Sequence, residues 1–318
     1  MKKTFFIALA FLLSTASSFA RDFEVDGIAY NRLEDGISVA VVSNWYWNPD
    51  ITVHRVPYKG SISIPSTVTY NKQTYKVTAI IGAFSGSPEV TSVSMPNSIT
   101  EIGVNAFNGC NKLTSIIIPD SVVSIGEHAF TGCTGLTSIK IPMLVKTIGK
   151  NAFENCTGLT TITIPNSVKT IDNYAFSGCN NLKSITLSDS TITIGSYAFN
   201  KCAGISTIKI PVSVTSIGKG AFNDCNGLRE IFTKYKDPIT LPEEVFNAQI
   251  YNNAILHIPE GCNKYYQIRA YWKNFATIWD DNGKPGSSGD TYTEGDINHD
   301  GTVDMDDVSA LINQILSK

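Results

Sequence analysis

Asp296, Asn298, Asp300, Thr302, Asp304 and Asp307 stand at positions 1, 3, 5, 7, 9 and 12 of one stretch, DINHDGTVDMDD. Gly301 holds position 6, where the sharp turn of such a loop needs glycine. Hard oxygen donors on alternate residues are the ligand set of a Ca2+ ion, so calcium is the expected cofactor. An ordinary EF-hand loop ends on Glu, whereas this one ends on Asp307. Behind the loop, Val308, Leu311, Ile312, Ile315 and Leu316 recur at helical spacing. Elsewhere no catalytic set emerges. His54, His128, His257 and His299 are scattered, and the chain has no HExxH, GxSxG or phosphate loop. The expectation is a protein without enzymatic activity.

The element that must position everything else is a repeat. Ala-Phe recurs at Ala83-Phe84, Ala106-Phe107, Ala129-Phe130, Ala152-Phe153, Ala175-Phe176, Ala198-Phe199 and Ala221-Phe222, always 23 residues apart. Cys follows each later Phe by three, at Cys110, Cys133, Cys156, Cys179, Cys202 and Cys225. A fixed period of this length means stacked supersecondary units that bury their apolar faces against one another. In the unit from Leu113 to Gly135, Leu113, Ile116 and Ile118 alternate with outward Ser115 and Ile117, which predicts a strand. Pro119 ends that strand because it has no N–H to give. Val122 and Ile125 supply a second inward set, and Gly126 suggests a turn with positive φ. Ala129-Phe130 is expected on one helical or 3₁₀ turn, with Phe130 in the core.

The motif IxIPxSVxxIGxxAFxxCxxL, carried by residues 80–250, resembles the BspA-type leucine-rich repeats. Ser87 stands where the first Cys would fall, and Ser188 replaces the recurrent proline. The resemblance implies a leucine-rich repeat solenoid: β-rich, parallel stacked coils with short helical turns, β caps at both ends and a small loop-helix tail. It also implies adhesion, with host matrix proteins or bacterial surface proteins as partners. The tail, 294–318, resembles one repeat of a dockerin, which ends its loop on Asp and has no preceding helix. That likeness implies a cohesin-like module as partner, read by Met305 and Asp306. A dockerin normally carries two such repeats, and this chain holds one copy. The alternative function is therefore a non-catalytic, dockerin-bearing component of an extracellular polysaccharide-degrading complex.

The remaining segments frame the array. Residues 1–20 have Lys2 and Lys3, an apolar run from Phe5 to Leu13 and small residues up to Ala20, as a secretory signal peptide does. The run is too short to span a bilayer, and no lipoprotein Cys lies near the cleavage site. The protein is expected outside the cell or on its surface, with no transmembrane segment once the signal is removed. Residues 21–75 read as an N-terminal β cap, 76–250 as the repeats, 251–280 as a C-terminal cap with a covering helix near Lys264–Phe275, and 281–293 as a linker. Trp45-Tyr46-Trp47 reads as cap core, with sugar stacking as the other use. Taking Lys2 and Lys3 from the 25 basic residues leaves 23 against 28 acidic ones, a net of −5. Residues 294–318 hold six acids and Lys318, also −5, so residues 21–293 are neutral. A neutral body has no field to draw nucleic acid.

Two readings concern surfaces and thiols. Outward strand positions form rows, among them Ser138 and Lys140, Thr161 and Thr163, Ser184 and Thr186, and Thr207 and Lys209. They are either a solvated sheet rich in β formers or a weakly charged protein-binding face. The in-register cysteines suit a disulfide or metal ladder by number. Parallel side chains on neighbouring coils do not converge as a disulfide requires, so buried reduced thiols are expected.

Overall fold

The computed structural model describes residues 21–43, 45–48, 51–55 and 57–281. The leader (1–20), most of the linker and the acidic tail lie outside the described residues. The chain winds into a parallel β-solenoid of about nine turns with few helices, the expected fold class. Each repeat has three sides, and each side is held to its neighbours differently.

One side is a ladder of short parallel strands. Gln73–Ile80 pairs with Glu101–Ile102, and then Ser124–Ile125, Thr147–Ile148, Thr170–Ile171, Thr193–Ile194 and Ser216–Ile217 follow in order. The pairs Ile125↔Ile148, Ile148↔Ile171, Ile171↔Ile194 and Ile194↔Ile217 restate the sequence period as register. The longest sheet thus runs along the second inward set rather than along the Ile-x-Ile strands.

Those strands form a second, interrupted side, here called the strand face. Gly60–Ser63 pairs with Val90–Ser94, and Thr161–Thr163 with Ser184–Thr186. Thr207–Ile210, Glu230–Thr233, Ile255–Ile258 and Thr277–Asp280 make a four-stranded parallel sheet. The predicted strand at Leu113–Ile118 joins no ladder, although its alternation persists: Ile116 and Ile118 are buried and Ile117 is 86% exposed. Its coil is pinned on the other two sides, so burial rather than strand pairing holds it.

The third side carries the Ala-Phe pairs. Its residues make isolated i→i+3 turns, such as Thr131 N to His128 O at 3.3 Å around Ala129-Phe130, in keeping with the single turn expected, and none of these turns extends into a helix. Left-handed backbone at His128 (φ 56°) and Gly132 (φ 69°) brackets Ala129–Thr131, leaving no room for consecutive helical bonds. Between these turns the backbone bonds coil to coil: Phe107 N donates to Ala129 O at 2.7 Å, Phe130 N to Ala152 O at 2.7 Å and Phe153 N to Ala175 O at 2.8 Å. Gly126 is also not the positive-φ residue; His128 is, with Asn105, Asn151, Tyr174 and Tyr197 in equivalent places. Glycine recurs at 126 and 149 because the coils nearly touch there. A Cβ on Gly149 would lie 2.7 Å from the Gly126 carbonyl carbon, below any real contact.

Inside, Phe84, Phe107, Phe130, Phe153, Phe176, Phe199, Phe222 and Phe246 form one stack with centroid spacings of 5.1–5.5 Å. Phe246 joins it although the sequence delays it by one residue; the left-handed position two before the Phe shifts with it, from Gly220 (φ 65°) to Glu244 (φ 63°), so the extra residue is absorbed between them. Burying each ring contributes about 2–3 kcal/mol, and each stacked pair about 1 kcal/mol more. All seven cysteines are buried thiols, none in a disulfide, as expected; six lie beside the stack and Cys262 lies in the C-terminal cap. Cys133 Sγ donates to Phe107 O at 3.1 Å, Cys156 Sγ to Phe130 O at 3.1 Å and Cys179 Sγ to Phe153 O at 3.2 Å. Cysteine therefore recurs as a small apolar filler that also feeds a buried carbonyl. Ser87, 1% exposed, fills that place in the first coil.

The ends are β structure. Phe23–Val25, Ile28–Arg32 and Ser38–Val42 are antiparallel, and Ser38–Val42 then pairs in parallel with Gln73–Ile80. At the other end the predicted covering helix is short, Asn263–Ile268, followed by a 3₁₀ turn at Trp272–Asn274. Beyond it Thr277–Asp280 adds another parallel strand, so the last segment lengthens the strand face as well as covering the core.

Candidate functional site

The strand face is the surface on which outward side chains line up. Its inward residues, such as Ile162, Ile185, Ile208, Ile231 and Leu256, are buried, which turns their neighbours to solvent. Ser138 bridges to Thr161, and Thr161 pairs with Ser184. Thr163 pairs with Thr186 in the adjacent row. Ser138, Lys140, Thr161, Thr163, Ser184, Thr186 and Lys209 are exposed, and Thr207 is half-buried. Ladder pairing stops between Ser184–Thr186 and Thr207–Ile210, so Thr207 and Lys209 belong to the sheet that continues to the C-terminal end. Lys140 Nζ reaches Asp120 at 3.2 Å. Both ends of that pair are largely solvated, and it contributes little to stability.

Two open hollows indent this face. One, of about 570 Å³, has Lys140, Thr163, Thr186 and the exposed Met143 on its walls, with Asn166 and Asp189 at its rim. The other, of about 520 Å³, lies between Gly60–Ser63, Val90–Ser94 and residues 115–117. Serine hydroxyls line it, with Ser92 Oγ donating to Ser61 Oγ at 2.8 Å.

Farther along the same row the chemistry changes in a way the sequence does not advertise. Lys209 pairs with Phe232, Phe232 with His257, and His257 with Trp279. The Phe232 and His257 rings lie parallel with centroids 4.1 Å apart, and Trp279 meets His257 edge-on at 5.9 Å. Lys209 Nζ stands 5.9 Å above Phe232. These residues are 23, 25 and 22 apart, so the slipping period hides their alignment.

Asp296, Asn298, Asp300, Thr302, Asp304, Met305, Asp306 and Asp307 lie outside the described residues, as does His299. Among the described residues no three metal-binding side chains converge. His128 Nδ1 is 3.1 Å from Thr131 Oγ1, and its Nε2 is 3.6 Å from Glu127. Trp45–Asn48 is a strand, but the side chains of the Trp-Tyr-Trp run lie outside what is described. No helix among the described residues is long and apolar enough to cross a membrane.

Comparison with known proteins agrees with this architecture. A leucine-rich repeat protein from Bacteroides ovatus is 28% identical, over 81% of this chain and 71% of its own, with a TM-score of 0.58. A leucine rich cell surface protein from Faecalibacterium prausnitzii is 25% identical, over 76% of this chain and 71% of its own, with a TM-score of 0.57. A T. pallidum leucine-rich repeat protein is 26% identical, over 63% of this chain and 87% of its own, with a TM-score of 0.53. No functionally curated protein matches the chain. The family described as BspA type leucine-rich repeat region matches in six copies, over residues 78–169 and 146–267. With more than half its length in those copies and a coil of the same period in space, the chain belongs to the BspA-type leucine-rich repeat family.

Proposed function

We propose that this protein is a secreted or cell-surface adhesion protein that binds other proteins through its strand face and catalyses no reaction. The observation that carries this reading is the stack of outward rows, Ser138 to Thr207 and Lys140 to Lys209, rising beside a hollow of about 570 Å³. Solenoids offer such broad surfaces to protein partners. Leucine-rich repeat proteins are generally non-catalytic scaffolds, and those of the BspA type are typically secreted or on the surface. Export would use the leader at 1–20. The partners proposed are host matrix or bacterial surface proteins. The test is capture of the whole chain by immobilised fibronectin, fibrinogen, laminin and collagen. Binding should weaken by about tenfold in a Lys140→Glu, Thr163→Arg variant, which places bulk and reversed charge at the hollow. Retention of none of these proteins, or equal retention of the variant, would defeat the reading.

A second reading rests on the tail. Its loop spacing supports Ca2+ held by Asp296, Asn298, Asp300, Thr302, Asp304 and Asp307, with Met305 and Asp306 facing a cohesin-like module. Without a cation those carboxylates repel one another. Titrating Ca2+ into the whole chain should release heat, and an Asp296→Ala, Asp307→Ala variant should not. Silence from the parent at millimolar calcium removes the calcium site, and with it the complex-docking role.

A further inference from the structure

We propose that the C-terminal end of the strand face binds a neutral glycan, with Phe232, His257 and Trp279 as its aromatic wall and Lys209 and Glu230 as its polar rim. This stands apart from the protein-binding reading, which concerns the rows nearer the centre of the array.

The three aromatic residues are not needed to close the core. The inward residues beside them, Ile231, Leu256 and Ile258, are already buried, while Phe232, His257 and Trp279 stay half-buried on the outer side. Over the preceding coils the same row carries Lys140, Thr163, Thr186 and Lys209, as a solvated strand face would. Three consecutive aromatic rings therefore leave apolar surface in water where threonine serves elsewhere.

The shape is also specific. Phe232 and His257 lie 8° from parallel, and the Trp279 ring is turned 89° from His257. Two perpendicular aromatic planes make a corner. A pyranose ring has an apolar C–H face and a rim of hydroxyls. Its apolar face can pack into such a corner while the hydroxyls reach the groups around it, the division of labour usual in ligand sites. Strands at the ~4.8 Å sheet spacing let a linear glycan lying along the solenoid meet several coils in turn.

The polar groups point to an uncharged ligand. Lys209 and Glu230 bring opposite charges to the corner, and Lys234 is paired with Asp281 at 2.7 Å. With both signs present, the corner attracts neither a polyanion nor a polycation. His257 Nε2 is buried without a hydrogen bond, 4.0 Å from Glu230 Oε1, so the polar groups that meet solvent at the corner are the exposed Lys209 and the half-buried Glu230.

The test is calorimetric titration of the whole chain with cellohexaose, mannohexaose and maltohexaose, with a heparin hexasaccharide and fibronectin in parallel. Saturable binding of at least one neutral hexasaccharide is expected. Trp279→Ser and Phe232→Thr should each weaken it by about tenfold without shifting the thermal melt, and Thr163→Ala should leave it unchanged. Phe232→Thr restores the residue type of the preceding coils; if it nonetheless fails to fold, Trp279→Ser in the last strand and Lys209→Gln decide the matter. Failure of all three hexasaccharides at about 5 mM overturns the proposal. So does binding that survives the substitutions, preference for heparin, or fibronectin binding lost in Trp279→Ser while no sugar binds.

Discussion

Removing one ring from the middle of the phenylalanine stack tests the architecture most directly. Phe153 is buried completely and stacks on Phe130 and Phe176 at 5.2 Å each, within 2° and 7° of parallel. Phe153→Ala loses the transfer energy of the ring, about 2–3 kcal/mol, and two stacking contacts of about 0.5–1.5 kcal/mol each. The site cannot collapse to recover that loss. Phe153 N bonds to Ala175 O at 2.8 Å and Phe130 N to Ala152 O at 2.7 Å, so coil spacing on this side is fixed by backbone. The expected cost is therefore at the upper end of the range for such truncations, about 4–5 kcal/mol. Because each coil touches only its neighbours, an empty layer also uncouples the two halves. Urea unfolding followed by circular dichroism should show a lower midpoint and a broader transition than the parent. Phe153→Leu, which keeps most of the volume, should lose only about 1–2 kcal/mol. A loss under about 1 kcal/mol for Phe153→Ala would mean that the stack is not the spine of the fold.

Other outcomes follow from the coil geometry. Gly149→Ala forces a Cβ against the Gly126 backbone and should cost about 1–3 kcal/mol in a thermal melt; Asp172 occupies the equivalent place in one coil, so the strain is not prohibitive. Lys201 is exposed with φ 60°, and Lys201→Gly should raise stability by up to about 1 kcal/mol, whereas a loss would show that its side chain holds the turn. Burial pushes the Cys179 thiol up to about 12 and raises those of Cys133, Cys156 and Cys202. The folded values lie above the unfolded one, near 8.5, so the stability these thiols contribute is intact below that pH and is lost as pH rises from about 9 toward 12. Each thiol can cost up to about 1.4 kcal/mol per pH unit, and unfolding midpoints should fall steeply above pH 9. A Cys156→Ser, Cys179→Ser variant should show a shallower decline; an identical one would assign the effect to the buried tyrosines.

The spine was legible because its signal is a constant interval. Phe84 through Phe222 and the cysteines behind them needed only a ruler, and burial of every one follows from their being the invariant apolar positions of the unit. What the interval conceals is anything that depends on the coil next door. Gly126 looks like a turn glycine in its own unit; only the Gly103 and Val104 backbone 2.8–2.9 Å from its missing Cβ shows why it is glycine. Left-handed backbone falls on Tyr174 and Tyr197, side chains that give no hint of it, as well as on His128. Asn105, His128 and Asn151, residue types enriched in that conformation, are the available clue. Leu113–Ile118 alternates like a strand yet joins no ladder, its link to the next coil being Thr137 N to Thr114 O, because alternation reports burial and not hydrogen bonding. The aromatic corner is hidden in the sequence for a related reason: Phe232, His257 and Trp279 align only through the registers of three strands separated by irregular connections.

The two backbone ladders have a further consequence. On the Ala-Phe side the inter-coil bonds donate forward, from Asn105 N to Glu127 O and from Gly109 N to Thr131 O. Flanking the short strands they donate backward, from Val123 N to Thr100 O and from Gly126 N to Ile102 O. A helix adds its peptide dipoles head to tail, and its ends acquire partial charge as it grows. In this array the axial dipoles on two sides oppose one another, so added coils build little voltage along the axis. Whole units can be gained or lost without charging the ends, leaving coil number free to vary.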